Sequence, residues 1–146
     1  MTIQIKGLNK TTLRLRVTKQ RINYAIKEST VEAAKEIAEE SEQNAPVLTG
    51  RLEGSHKINE VSPAPDVAIY TVTYNAINPK DGFDYGTLMH ESYYNLGPES
   101  LKKQKLNGHI VGRKFLERAA QDTKELCIAI VRQATKEAVR ESRRRR

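Results

Sequence analysis

The stretch "NAPVLTGRLEGSHK", residues 44–57, separates two regimes of pattern. Upstream, from about Thr18 to Gln43, Ile22, Ala25, Ile26, Ser29, Ala33 and Ile37 recur at three- and four-residue spacing, which gives a helix one apolar face. Ser29 and Glu32 have capping-box spacing, but the periodicity runs through them unbroken, so the match is read as accidental. Pro46 cannot continue a helix and biases Ala45 away from helical angles, so the helix is expected to stop there. Thr49-Gly50 then suits a tight turn in which Gly50 takes backbone angles that other residues avoid. Beyond it, residues 55–61 and 67–74 read as two strands around a Ser62-Pro63-Ala64-Pro65-Asp66 turn. The second, VAIYTVTY, is β-branched and aromatic and apolar on both faces. That suits an interior strand, or one covered by a helix on one side and a neighbour on the other.

The flanks extend this plan. TIQIKGL alternates Ile3 and Ile5 with polar residues, a short strand signal that Gly7 ends. Near the other end, Leu116, Ala120, Thr123, Cys127, Ile130, Ala134 and Ala138 advance by fours and threes, which predicts one long helix over about 113–142. Arginines at its C-terminal end suit the helix dipole. Between these lies 75–112, punctuated by Pro79, Gly82, Gly86, Gly97, Pro98, Gly108 and Gly112. It reads as a long loop with one short strand near 83–87, and so long an irregular segment is expected to be functional or disordered. Its aromatics, Phe83, Tyr85, Tyr93 and Tyr94, argue for a segment that becomes ordered against a partner. The expected fold is α+β: a small, mainly antiparallel sheet packed against two long helices, in a single domain over 1–142 with a basic tail at 143–146.

Composition limits what such a chain does. With 146 residues and 38% apolar residues, no Trp and a mean hydropathy of −0.65, its core is expected to be modest. That leaves room for elements that are stable only against neighbours. Much of the +7 net charge sits in Arg140, Arg143, Arg144, Arg145 and Arg146. The first eighteen residues add Lys6, Lys10, Arg14 and Arg16 without an acid. Residues 28–42 carry Glu28, Glu32, Glu36, Glu39, Glu40 and Glu42 against Lys35 alone. Separate acidic and basic surfaces suit head-to-tail contact between copies, and ordinary solvated faces are the plainer alternative. The lone Cys127 excludes an internal disulfide and suits a reducing compartment. MTIQIKGLNK has no apolar signal core, and no apolar run approaches the ~18 residues of a membrane span. A soluble protein made in a cytoplasm is the expectation.

No catalytic, cofactor or metal set stands out. His56, His90 and His109 are isolated, and the adjacent side chains of His90 and Glu91 are expected to diverge. Cys127 falls on the apolar helix face, where a small inert thiol is the usual occupant. Asp81, Asp84 and Glu91 lie where acids make turns and solvated contacts. Phosphate-cradling glycine motifs are absent. The tail "ESRRRR" has two readings: contact with phosphates, weakened steeply by salt, or a solvated end that complements an acidic surface of another subunit.

Three short motifs together resemble a known family. APVLTGRLEGS, Ala45 to Ser55, is similar to the APVDTGRLRNS-type signature of the tail-completion, or head–tail joining, family of lambdoid tailed phages. Tyr74-Asn75-Ala76 followed by Asp84-Tyr85-Gly86-Thr87 resembles that family's "YA…E-aromatic-GT" strand region. GRKFLERAAQD, Gly112 to Asp122, resembles its "PFLRPA" entry into a final helix. The motifs come in the family's order and the resemblance spans nearly the whole chain. Leu48 stands where an acid is usual, Asp84 where Glu is commoner, Arg113-Lys114 replaces a proline-containing entry, and Asn78 to Gly82 is an insertion.

The resemblance implies a structural virion protein, made in the host cytoplasm, that forms a ring in the phage neck. That ring, sixfold by the family likeness, joins the head connector to the tail tube around the DNA path. Its partners would be other copies of itself, neighbouring neck and tail proteins, and the viral DNA through non-specific contact. Pro46, Thr49, Gly50, Gly86 and Thr87 are the expected turn residues. Arg51, Phe83, Asp84, Tyr85, Tyr93 and Tyr94 are the expected subunit or partner contacts, since interface centres favour aromatics. For Arg51 a local brace joining helix to strand is the other reading. Arg14, Arg16, Arg143, Arg144, Arg145 and Arg146 are the candidates for DNA or an acidic partner ring. A tail-tube terminator of the same apparatus and a basic DNA-binding accessory protein are the rival readings.

Overall fold

The structure, a computed structural model, describes residues 8–47 and 49–144. The strand expected at TIQIKGL, together with Leu48, Arg145 and Arg146, lies outside them. Helix α1 spans Leu8–Asn44 and, at 37 residues, is about 55 Å long. It begins ten residues before the expected start because its first turns expose their apolar side chains, so periodicity marks no buried face there. Leu13 and Leu15 are each 63% exposed. It ends before Pro46, as expected, and Ser29 inside it bonds back to the Ala25 carbonyl at 2.7 Å instead of capping a new helix.

A 3-10 turn at Glu53–Ser55 leads into β1, His56–Glu60, which pairs antiparallel with β2, Tyr70–Tyr74. The register sets His56 opposite Tyr74 and Glu60 opposite Tyr70. This two-stranded sheet lies on α1: the Tyr74 hydroxyl meets Ser41 Oγ at 2.5 Å and Lys27 reaches Glu60 at 2.8 Å. The second strand is therefore not interior among the described residues. One face is half-buried on the helix, and Thr71 and Thr73 on the other are exposed.

The stretch 75–112 departs most from expectation. An isolated bridge joins Ile77 to Asp84, and two helices follow in place of a strand and a loop: α2, Tyr85–Glu91, and α3, Pro98–Asn107. Gly86 and Thr87 are thus helical residues and not a turn. The segment is fastened to the body of the chain, with Gly112 N–H donating to the Asn44 carbonyl at 2.9 Å and Lys114 N–H to the His90 carbonyl at 2.8 Å.

The last helix comes in two parts, α4 at Phe115–Asp122 and α5 at Lys124–Arg144. It starts at 115 because Lys114 has a φ of 59°, outside the helical region. Hydrogen bonds carry through the joint at Thr123, whose N–H bonds to Ala119 at 3.0 Å and whose carbonyl accepts from Cys127 N–H at 2.9 Å. The buried residues of α4 are Phe115 and Ala119, each one before the expected Leu116 and Ala120, and Ala120 is exposed; at Thr123 the expected stripe is buried. Both parts pack on α1, where the small residues Ala33, Ala34 and Ala38 allow close approach. Cys127 Sγ lies 3.4 Å from the Ala33 carbonyl, while Ser142 borders the first turns of α1, so α5 runs antiparallel to α1. The small apolar core, Ala45, Leu52, Ala76 and Phe115, sits at the C-terminal end of α1. The architecture is α+β: two long helices and a small antiparallel sheet.

Candidate functional site

The exit from α1 is built by the chain that follows it. Gly50 takes a φ of 74°, the left-handed angle expected of it, and the turn closes with Gly54 N–H on the Gly50 carbonyl at 3.2 Å. Ser100 of α3, 2% exposed, reaches the segment after Pro46, accepting from Val47 N–H at 2.9 Å and donating to the Val47 carbonyl at 3.0 Å. Lys103 Nζ donates to the Glu42 carbonyl at 2.5 Å, to the Ala45 carbonyl at 3.1 Å and to the Glu53 carboxylate. At this helix end the Glu42 carbonyl accepts only a long bond from Ala45 N–H, at 3.3 Å, and the ammonium adds a closer donor. Helix α3 therefore works as a polar clamp on the turn.

Between this turn and the α2 region lies a largely apolar groove of about 430 Å³. Pro46, Thr49, Arg51, Phe83, Tyr85 and Tyr94, all singled out from the sequence, line it together. Phe83 is 53% exposed at its rim. Tyr94 donates its hydroxyl to the Met89 carbonyl at 2.9 Å, and burial raises its phenol above the ordinary value. Arg51 is exposed and has no hydrogen bond or ion pair among the described residues. The local brace weighed from the sequence is not what its side chain makes here. An apolar trough with one unpaired guanidinium suits an apolar segment that carries a carboxylate or carbonyl.

Other candidates stand apart from the groove. Asp84 caps α2, its Oδ1 accepting from Gly86 N–H at 2.9 Å. Gly86 is packed so closely on Ala76 and Asp84 that a Cβ there would lie 3.1 Å from Asp84 Oδ1. Thr87 is exposed on α2, and Tyr93 is 86% exposed with Arg113 stacked 4.0 Å over its ring. Arg14, Arg16, Arg143 and Arg144 lie at the opposite end of the helical pair, roughly 45 Å from the groove by helix rise. Residues the sequence did not single out also line the groove: Val47, Leu52, Asn78, Met89, Asn95, Gly97 and Ser100.

The charged groups near the site are paired for structure. Contrary to expectation, the adjacent His90 and Glu91 side chains meet, with His90 Nδ1 2.8 Å from Glu91 Oε1, because Glu91 ends α2 and turns toward Lys114. The Lys114 ammonium, then His90, holds the Glu91 carboxyl below its ordinary range. Tyr74, behind the groove, packs edge-on against Phe115 at 4.9 Å, and burial pushes its phenol up to about 12. Among the described residues no group of three or more His, Cys, Asp or Glu is placed to hold a metal ion, and no helix is long and apolar enough to cross a membrane. Comparison of the chain with protein-family models, with curated proteins and with solved structures finds no match in any of the three.

Proposed function

We propose that this chain is a structural protein of the phage neck, whose copies associate into a ring joining the head connector to the tail tube around the DNA path. Its role is binding, without bond-making chemistry. One observation carries the reading: the Thr-Gly-Arg turn and the aromatics Phe83, Tyr85 and Tyr94, far apart in sequence, converge on one apolar groove whose arginine is unpaired. The order of the three motifs supports the same assignment. In this reading a neighbouring subunit or the adjoining ring fills the groove, Arg51 meets a carboxylate or carbonyl of that neighbour, and the basic end of the helical pair faces DNA or an acidic ring. The contact is heterologous, and it makes a ring only if its rotation closes.

The test is complementation in an infecting phage. Arg51→Glu and Tyr85→Ala are expected to give filled heads and free tails that fail to join, with purified protein that still folds by circular dichroism. Normal particles from both variants would overturn the interface assignment. Electron microscopy of virions with this chain labelled separates a tail-completion position from a tail-tube terminator. The basic end of the molecule favours the DNA-binding accessory reading over the ring if the protein stays monomeric with its neck partners. In that case its DNA affinity would fall steeply with salt and on deletion of 140–146.

A further inference from the structure

Charge is segregated along α1. Its described residues up to Lys27 include Arg14, Arg16, Lys19 and Arg21 and no acid, whereas Glu28 to Glu42 hold all its glutamates. Some of these charges are answered within the chain: Lys19 by Asp66, Lys27 by Glu60, Glu40 by His109 and Glu42 by His56. Arg14, Arg16, Glu28 and Glu32 have no ion pair among the described residues. The unanswered charges of each sign lie beside unfilled apolar surface. Leu13 and Leu15, each 63% exposed, alternate with Arg14 and Arg16. A groove of about 730 Å³ runs between α1 and α5, where Tyr24, 68% exposed, and Ala138 give apolar surface and the acids Glu28, Glu32, Glu137 and Glu141 outnumber the one base, Arg21.

We propose that the acid-free start of α1 from one copy, around residues 11–16, seats in the acid-rimmed α1/α5 groove of a second copy. Leu13 would lie on the apolar floor, with Arg14 and Arg16 against Glu28 and Glu32. The occupant is a second copy because the chain itself carries the complement: a helical segment with exposed leucines and only positive charge. Area agrees. The chain exposes 10720 Å², roughly 3,000 Å² more than the ~7,500 Å² typical of a compact monomer of its 16.5 kDa mass, against the ~1,600 Å² in total that a standard interface buries. Donor segment and receiving groove are different surfaces, as head-to-tail repetition around a ring requires. The inference rests on the reading that copies associate, and it names one contact by which they do so.

Light scattering on the purified full chain tests it, using two charge-reversed variants. Arg14→Glu/Arg16→Glu and Glu28→Lys/Glu32→Lys change exposed residues, and circular dichroism verifies that each is folded. The wild type is expected to self-associate, more weakly by roughly tenfold or more in high salt. Each variant alone should stay monomeric, whereas an equimolar mixture of the two, and the fourfold variant, should associate again, as paired charge reversal requires. Self-association that both variants retain would overturn this contact and leave the ring reading standing. A wild type that remains monomeric alone and with its neck partners would overturn both. If Arg14→Glu/Arg16→Glu instead leaves association intact and abolishes binding to a short DNA duplex, the segment serves a polyanion and the contact is likewise overturned.

Discussion

Two residues show how narrow the support of this fold is. Phe115 is 1% exposed and is touched edge-on by Tyr74 at 4.9 Å and by His90 at 5.0 Å, so helix α4, the sheet and helix α2 meet on one ring. Phe115→Ala is expected to cost about 3–5 kcal/mol, a large share of the roughly 5–15 kcal/mol that holds a domain folded, and Phe115→Leu distinctly less. Urea unfolding followed by circular dichroism measures both. Tyr74 adds a pH dependence. Its phenol has a pKa of about 12 in the folded chain against an ordinary 10.0, and burial is the main cause. Below about pH 10 both states hold the proton and the stabilisation is complete. Between about pH 10 and 12 the unfolded chain releases it while the folded chain keeps it, so stability falls as pH rises through that window. Tyr74→Phe should cost about 1 kcal/mol at neutral pH through the lost Ser41 bond, yet lose less between about pH 8 and about pH 11 than the parent does. An equally steep alkaline loss in the variant would assign it to another group.

At the scale of elements, α3 is held by polar contacts, and that explains both its behaviour and its absence from the sequence reading. Lys103→Met removes the donor shared by the Glu42 and Ala45 carbonyls and the Glu53 carboxylate, an expected loss of about 1–3 kcal/mol. The effect should be local. Amide exchange at Val47 and Leu52 should quicken while the middle of α1, around Ala34 and Ala38, stays protected, and equal acceleration at both places would mean that α3 supports the whole fold. A helix gripped this way leaves no apolar stripe: Leu101 and Leu106 are 45% and 75% exposed. Its signal was punctuation, since Gly97-Pro98 places proline at the first helical turn and Gly108, with φ of 72°, ends it in the left-handed conformation. By contrast, the end of α1, the two strands and the C-terminal helix were legible because each turns a buried or half-buried face inward at its own period. The same division runs through the groove. Arg51 and the aromatics stood out as residue types, but Val47, Leu52 and Met89 carry no positional mark, and Ser100 became meaningful only when α3 brought it to Val47.

For the molecule as a whole, the question is what covers the surface that folding leaves open. Helix α5 has no buried residue along its whole length, and Leu13, Leu15, Tyr24 and Tyr93 are largely exposed. A 37-residue helix about 55 Å long also stretches the chain well beyond a sphere of equal mass. In dilute, high-salt solution the scattering radius of gyration should therefore exceed the ~15 Å of a compact chain of this length. Thermal unfolding then asks whether copies of the chain cover that surface. A contact made only by folded copies stabilises by mass action, each tenfold rise in concentration adding up to about 1.4 kcal/mol per contact. Across a domain of this size that corresponds to an upward shift of a few degrees in Tm per decade of concentration. Arg14→Glu/Arg16→Glu should flatten the slope, because it removes the contact by which copies associate. If Tm is the same over a hundredfold range of concentration, the chain does not cover itself, and its open surface belongs to a different partner.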